Sequence, residues 1–254
     1  MESPLQQESQ PYRFALVLEY DGSSSFGWQR QSSPELPSVQ AALEKALSEI
    51  ACSPITVFCA GRTDRGVHAT GQVVHFDSPV QRNIKAWTLG TNSLLENSVR
   101  VRWAAPVSPE FHARFSALAR RYLYVLVESR VASAHLHNQI SRVAFDLDVT
   151  AMHRAGQYLL GEHDFSAFRA AGCESVTPWR RVHWLNVVRK NRFIVVDIQA
   201  NAFLQHMVRN IVGMLLEVGR GMQSPGWAGE LLTGQDRTAG AMAAPAAGLY
   251  LVSA

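Results

Sequence analysis

Residues 13–20 read RFALVLEY and end at the turn dipeptide Asp21-Gly22, and this stretch opens the unit that decides the fold. Its β-branched and aromatic residues predict a strand. Behind Ser38, a plausible N-cap, apolar residues at helical spacing predict a helix that runs to Ile50. Similar patterns predict strands at 55–60, 72–76 and 99–103, and a second helix at 84–95. The predicted order of this half is therefore β-α-β-β-α-β.

The second half of the sequence repeats this order. Strand patterns lie at residues 120–128, 181–188, 192–198 and 248–252, and the middle two form a predicted hairpin. Thr150 can cap a helix that stops at Gly161, and an apolar stripe from Met207 to Val218 predicts another helix. Two such units predict an α+β protein made of two ferredoxin-like domains with antiparallel sheets.

The predicted organisation is a disordered tail at residues 1–11, an N-terminal domain at 12–108 and a C-terminal domain at 109–254. Pro106 and Pro109 bracket a strand end at the boundary between the domains. Residues 21–37 and 162–180 are too long to be simple connectors, and long loops in compact domains are usually functional or mobile.

The composition limits the classes of protein to which the chain can belong. The 254 residues are 47% hydrophobic and 18% charged, which excludes a disordered chain. No apolar run reaches the ~18 residues of a membrane span, and residues 1–11 lack the pattern of a secretory signal. Three cysteines without CxxC spacing argue against a disulfide framework and favour a reducing compartment, so we expect a cytoplasmic protein without membrane contact.

Arginine dominates the cations, since only three of the 24 basic residues are lysines and the net charge is just +3. The guanidinium group matches phosphate and stacks on bases, so this bias is consistent with a nucleic-acid partner. Genomic GC bias is an equally good explanation on composition alone.

The densest polar segment is GRTDRGVHATGQ at residues 61–72, directly after a predicted buried strand. Asp64 lies between Arg62 and Arg65, and neighbouring cations favour the ionised form of a carboxylate. Such a carboxylate can act as a nucleophile or as a general base. The alternative is that Thr63 and Asp64 form an Asx-type turn that only stabilises the loop.

A second polar concentration is FLQHMVRNIVG at residues 203–213, where Arg209 and Asn210 lie close to the apolar stripe of a helix. An arginine near a helix start in an apolar setting calls for a carboxylate or phosphate partner. The alternative is a solvent-facing side chain.

A third concentration is FHARFSALARRYLYV at residues 111–125, in which arginines are interleaved with aromatic residues. This pattern suits a nucleic-acid surface, because rings stack on bases and guanidinium groups hold phosphates. The alternative is a strand with aromatic side chains in the core and arginines in solvent.

The histidines give no metal motif. There is no HxxxH, HExxH or Cys/His quartet, and His68 and His206 are better explained as structural or RNA-facing residues. We therefore predict no metal.

Five blocks of sequence occur in the order seen in one known family: GRTDRGVHATGQVVHF, FHARFSALARRYLY, FSAFRAAGC…PWR, ANAFLQHMVRNIVG and GLYLV. From about residue 14 to residue 252 the chain resembles the tRNA pseudouridine synthase A family. The resemblance implies isomerisation of uridines 38, 39 and 40 in the tRNA anticodon stem-loop. It also implies a homodimer, two ferredoxin-like domains with the active-site cleft between them, and no cofactor.

The resemblance also implies roles for individual residues. Asp64 matches the essential aspartate, Arg62 the arginine that helps flip the target base, and Tyr122 the ring that stacks on it. Arg209 matches the partner of the catalytic aspartate, and Leu249 resembles an apolar residue beneath the base. Arg65 replaces the family's common alanine. The remaining candidate substrate contacts are His68, Arg114, Arg120, Arg121 and Arg169.

Such a reaction needs few groups, because both bonds that change belong to the substrate. One carboxylate suffices, either by attacking the ring or sugar, or by removing a sugar proton. A non-catalytic RNA-binding module is the main alternative, but the sequence has no RNP1-type strand. A nucleosidase that releases the base is another alternative.

Overall fold

The strands form one continuous sheet in a computed structural model that describes residues 11–31 and 36–254. Along the sheet the order is β4-β1-β3-β10-β5-β9-β8-β7, with β2 paired to β3 and β6 paired to β5. Residues 1–10 of the predicted tail lie outside the described residues.

The N-terminal half has the predicted β-α-β-β-α-β order. Its strands run in the sheet order β4-β1-β3-β2, and all neighbours are antiparallel. Ser38 caps the first helix as predicted, because its hydroxyl accepts a hydrogen bond from the amide of Ala41 at 3.2 Å. The elements are β1 (Tyr12–Tyr20), α1 (Val39–Ala51), β2 (Val57–Cys59), β3 (His68–Ser78), a π-helical turn (Ala86–Gly90), α2 (Thr91–Leu94) and β4 (Val99–Pro106).

The C-terminal half repeats this arrangement with the sheet order β10-β5-β9-β8. Two short strands and one helix that the sequence did not predict are added to it. The elements are β5 (Arg120–Glu128), β6 (Ser141–Val143), α3 (Val149–Gln157), β7 (Gly161–Asp164), β8 (Trp179–Lys190), β9 (Phe193–Ala200), α4 (Met207–Gly219), α5 (Trp227–Gly234) and β10 (Leu249–Ser253).

The structure corrects the ends of one predicted helix. Asp148, not Thr150, caps α3, because the Asp148 carboxylate accepts the amide of Ala151 at 2.9 Å. The helix ends at Gln157, and Gly161 instead begins β7 with a positive φ of 93°.

Strand β10 joins the two halves. It pairs antiparallel with β5, where Leu249 lies opposite Tyr124, and parallel with β3, where Leu251 lies opposite Ala69. Strand β10 pairs with the beginning of β3, and β2 pairs with the same edge of β3 further along, at residues 74–76. The β2–β3 connection therefore emerges between β2 and β10, in the middle of the sheet. Because the sheet is continuous, the domain boundary between residues 108 and 109 stays a prediction.

The hydrophobic core lies between one face of this sheet and the helices. Alternate residues of the strands point towards the helices and are fully buried, as Leu16, Val74, Tyr124 and Val196 show. The residues between them face the other side and are only half-buried, among them Val17, Val73, Val125 and Val195. The sheet thus has one covered face and one open face.

Candidate active site

Asp64 lies in the short β2–β3 connection, whose backbone is held from β3 and β1. The Gln72 side chain donates to the carbonyl of Gly61 at 2.6 Å and accepts its amide at 3.4 Å. The hydroxyl groups of Tyr20 and Thr63 are 2.8 Å apart. The loop is shorter than the predicted residues 61–72, because β3 already begins at His68.

The long segment after β1 supports the same loop. The amide of Trp28 donates to the carbonyl of Thr63 at 2.9 Å, and the amide of Gly66 donates to the carbonyl of Gly22 at 3.2 Å. Gly27 has a φ of +97°, and a Cβ atom built there would lie 2.9 Å from the carbonyl oxygen of Thr63. Glycine is therefore required where this segment packs against the Asp64 loop.

Two basic side chains contact the same oxygen of Asp64. Its Oδ2 is 3.3 Å from Nε2 of His206 and 3.7 Å from Nη1 of Arg209, and the Asp64 side chain is 33% exposed. Arg209 is fixed in turn by a 2.8 Å hydrogen bond from its Nε to the carbonyl of Ala244. These two contacts orient the Asp64 carboxylate in the cleft.

The sequence did not assign His206 to Asp64. His206 precedes α4 and adopts a left-handed conformation with a φ of 60°. Because His206 lies outside the helix, its spacing from Arg209 could not predict this contact.

Tyr122 and Leu249 form an apolar wall of the cleft and are 8% and 5% exposed. The Tyr122 ring meets the ring of Phe203 edge-on, with centroids 5.2 Å apart. Burial and the nearby charge of Asp64 raise the pKa of the Tyr122 hydroxyl, so this group stays protonated at neutral pH.

Three of the predicted arginines line the cleft and are exposed to solvent: Arg62, Arg65 and Arg114. The Arg65 guanidinium lies over the ring of Phe26 at 4.3 Å, and that of Arg114 lies 5.7 Å from the ring centroid of Phe115. These contacts hold the side chains without neutralising them.

Arg62 is paired across the mouth of the cleft. Its Nη1 lies 3.7 Å from Oε2 of Glu174, a residue of the predicted long segment 162–180. Both side chains are largely exposed, so this pair is weak and can open. No motif in the sequence pointed to Glu174.

Arg120 also lines the cleft, but its guanidinium is occupied by backbone carbonyls. It donates to Ala60, Arg114, Ala117 and Asn201. These bonds connect the Asp64 side of the cleft to the C-terminal half, so Arg120 stabilises the structure of the cleft.

The structure does not bring His68 and Arg121 into the cleft. His68 is 2% exposed; its Nδ1 accepts the amide of Gly22 at 3.1 Å, and its Nε2 is 2.9 Å from the carbonyl of Asn138. Arg121 alternates with Tyr122 along β5, so it points to the open face and makes a bidentate pair with Asp197. Arg169 lies outside the main cleft, in a neighbouring hollow.

The cleft has a volume of about 950 Å³, at the upper end of the range for small-molecule sites. Within the described residues, no group of three or more His, Cys, Asp or Glu side chains is placed to hold a metal ion. No helix in this part of the chain has the length and apolar character needed to span a membrane.

The chain is similar to known proteins over most of its length. A family model described as tRNA pseudouridine synthase matches residues 16–116 and 155–254, which include Asp64, Arg209 and Leu249. The tRNA pseudouridine synthase A of Actinobacillus pleuropneumoniae serotype 3 (strain JL03) is 58% identical over 240 residues, covering 94% of this chain and 91% of the relative. The enzyme of the same name from Escherichia coli (strain SMS-3-5 / SECEC) is 55% identical over 248 residues, covering 98% and 91%.

A solved structure of an H/ACA RNP bound to a substrate RNA containing 2'-deoxyuridine also matches, at 10% identity over 80% of this chain and 44% of that chain. Its TM-score of 0.37 is too low to carry any weight. The family model and the curated relatives cover most of the chain, and on that ground the chain belongs to the tRNA pseudouridine synthase family.

Proposed function

We propose that this protein is an isomerase that converts uridine in tRNA to pseudouridine, with Asp64 as the catalytic residue. The observation that carries the proposal is the Asp64 carboxylate, held through Oδ2 by Arg209 and His206 beside the apolar wall of Tyr122 and Leu249. The names of the curated relatives support the substrate.

The chemistry balances with a single carboxylate. The N1–C1′ bond of uridine breaks, and a C1′–C5 bond forms after the base has rotated. C5 loses a proton and N1 gains one, so no oxidant or reductant is consumed. Asp64 either adds to C1′ or removes the C2′ proton and returns it, and both routes use its carboxylate as the reacting group.

The other cleft residues serve extrusion and binding of the base. A paired uridine must leave its stack first, at a cost of a few kcal/mol. Arg62 at the mouth of the cleft fills the gap left in the RNA, and the Tyr122 ring offers a flat face to the extruded base. Arg65 and Arg114 contact backbone phosphates.

We propose uridines 38, 39 and 40 of the anticodon stem-loop as targets, in line with the resemblance of the motifs. We also propose a cytoplasmic homodimer that associates through the open face of the sheet. Half-buried valines on that face, together with Trp103 at 51% and Val188 at 43% exposure, support this surface.

The test is release of tritium from tRNA made with [5-³H]uridine, since each conversion expels the hydrogen of C5. We expect the wild type to release tritium and Asp64→Asn to lose turnover by more than about 1000-fold while still binding tRNA. Asp146→Asn, an exposed substitution of the same kind, is the control and should behave as the wild type.

Normal turnover by Asp64→Asn would overturn the catalytic role. Free uracil among the products would indicate a nucleosidase, and tRNA binding without any tritium release by the wild type would indicate a non-catalytic RNA-binding protein. Mapping pseudouridine along the tRNA then tests positions 38–40.

A further inference from the structure

Three arginines beside the cleft, Arg169, Arg180 and Arg237, are held only by neutral groups, and we refer to them as the arginine cluster. Arg169 donates to the carbonyls of Cys173 and Ser175 at 2.6 and 2.7 Å. Arg180 donates to carbonyls and to the hydroxyl of Ser175, and Arg237 donates to Oδ1 of Asn210 at 3.0 Å. None of the three forms an ion pair with a carboxylate of the described residues.

Burial makes this lack of negative charge costly. Arg180 is 8% exposed, and its buried Nε has no hydrogen-bond partner in the described part of the chain. Burial lowers the pKa of Arg180, the neighbouring Cys173 thiol opposes this shift, and the positive charge of Arg169 adds to it. Cations taken out of water without a counter-charge destabilise the fold, and a bound anion would recover that free energy.

Two members of the cluster line an open hollow next to the catalytic residue. Arg169 and Arg237 face this hollow, and His206, which contacts Asp64, lines both the hollow and the main cleft. The rest of the lining is mostly small: Ala170, Ala171, Gly172 and Ala243. Small side chains leave room for a polymer backbone to approach the guanidinium groups.

Arg237 is positioned by a buried amide. Asn210 on α4 is 3% exposed and donates from its Nδ2 to the carbonyl of Phe168 at 2.7 Å, which directs its Oδ1 to Arg237. The adjacent carboxylate, Asp236, is turned to the amide and hydroxyl of Thr238 at 2.8 and 2.7 Å. Arg237 is thus fixed in the hollow and not neutralised by its neighbour.

We propose that the hollow binds a backbone phosphodiester of the RNA, at a linkage flanking the uridine that is turned into the cleft, with Arg169 and Arg237 as the binding groups. The inference rests on the proposed function, because it needs an RNA strand that passes Asp64. Extrusion of one nucleotide requires its flanking backbone to be held, and phosphate contacts set this register. Arg180 lines the main cleft and not the hollow, so it makes no direct contact with this phosphate.

The test combines a protein change with a change in the RNA. Stem-loop RNAs containing [5-³H]uridine at the target carry one uncharged methylphosphonate linkage, placed in turn on either side of the target. We expect Arg237→Gln to bind unmodified RNA about tenfold more weakly than the wild type, the loss typical of one charge-assisted hydrogen bond. The slope of log affinity against log salt should become shallower by about 1.

Coupling between the two changes is the decisive result. At one linkage the methylphosphonate should weaken wild-type binding about tenfold and leave Arg237→Gln without further loss. Arg181→Gln is the matched control, since Arg181 is 61% exposed and paired with Glu162, and it should keep wild-type affinity and sensitivity. Arg237→Lys keeps the positive charge and is the second variant, for use if Arg237→Gln folds poorly. Its affinity should lie between those of Arg237→Gln and the wild type.

Two outcomes would overturn the inference. One is wild-type affinity in a folded Arg237→Gln variant. The other is that, at every linkage tested, the affinity losses caused by Arg237→Gln and by the methylphosphonate multiply, as they do for independent contacts. Failure of the proposed function looks different, because the wild type would then release no tritium from unmodified RNA. The binding measurements with methylphosphonate would still report on the hollow in that case.

Discussion

His75 shows how a single buried side chain sets a pH response. It is 1% exposed on β3, its Nδ1 accepts the amide of Ala113 at 3.1 Å, and the ring of Phe58 stacks on it at 5.1 Å. Burial, and then the neighbouring charges of His112 and Arg13, lower the pKa of His75 to about 4. The imidazole is therefore neutral in the folded protein at physiological pH.

This gives a prediction for stability against pH. The unfolded state binds a proton at His75 below a pKa of about 6.5, and the folded state does so only near 4. The contribution of neutral His75 to the free energy of unfolding is therefore fully present above pH 6.5. It is lost as the pH falls towards 4, and the loss reaches about 3 kcal/mol. Urea unfolding at pH 7, 6, 5 and 4.5 measures this loss.

His75→Gln keeps a hydrogen-bond acceptor without the titration, so its free energy of unfolding should fall less over that interval. Equal slopes in the two proteins would contradict the assignment. The carboxyl groups whose pKa values are lowered, such as Asp77 beside Arg13, act at lower pH: their contribution is lost only below their ordinary values near 4.

The candidate site was predicted from the sequence wherever a motif fixes the local backbone. The structure brings Asp64, Arg209 and Tyr122 together as the motifs indicated. The sequence could not show which of Arg120 and Arg121 faces the cleft. Alternation along β5 predicts that neighbouring side chains point to opposite faces of the sheet, but it does not identify the face that carries the cleft. The contact of His206 depends on a left-handed turn before α4, which local propensity does not reveal.

Among the elements, the segment between β1 and α1 matters most for the site. Its length predicted a functional or mobile loop, and its described part packs on the Asp64 loop through Gly22, Gly27 and Trp28. At Gly27 a side chain is excluded for two reasons, the positive φ and the short distance to the carbonyl oxygen of Thr63.

We expect Gly27→Ala to lower the free energy of unfolding by about 1–3 kcal/mol, through backbone strain. It should also reduce kcat by tenfold or more, because displacement of Thr63 moves Asp64. Gly234→Ala at the end of α5 is the control, since a Cβ atom there meets nothing within 4 Å and should be neutral or slightly stabilising. Thermal melting and tritium release check both variants, and wild-type kcat in Gly27→Ala would rule out this support for the site.

The repeated order of strands and helices followed from hydrophobic periodicity, and the structure confirms it. Periodicity failed for β7, whose residues Gly161–Asp164 read GEHD and have no apolar member. It also failed for α5, which has no side-chain cap at Gly226. These short elements form because neighbours offer a sheet edge or a packing surface, and a local pattern cannot show that.

At the scale of the whole molecule, the pseudouridine synthase fold is one sheet with a covered and an open face. The proposed dimer would cover the open face, where Trp103 lies opposite Val17 and Val188 lies opposite Val195. The half-buried valines, with the exposed Trp103 and Val188, supply the apolar contact area for a second copy on this face.

We expect the wild type to sediment as a dimer at micromolar concentration, and Trp103→Glu to raise the dimer dissociation constant about 100-fold by placing an unpaired charge in the interface. Leu89→Glu is the control, because Leu89 is 66% exposed and lies in the helical layer. If Trp103→Glu and Leu89→Glu had the same dimer dissociation constant, the interface would not lie on the open face.

Strand β10 has a consequence for the order of events during synthesis. Translation proceeds from the N terminus, so this strand leaves the ribosome after the other nine strands of the described sheet. Until it inserts between β3 and β5, the two halves lack their shared strand and Leu249 is missing from the wall beside Tyr122. A nascent chain in which Asp64 has already left the ribosome therefore has an incomplete cleft. We expect it to be inactive towards tRNA until β10 has been synthesised and inserted.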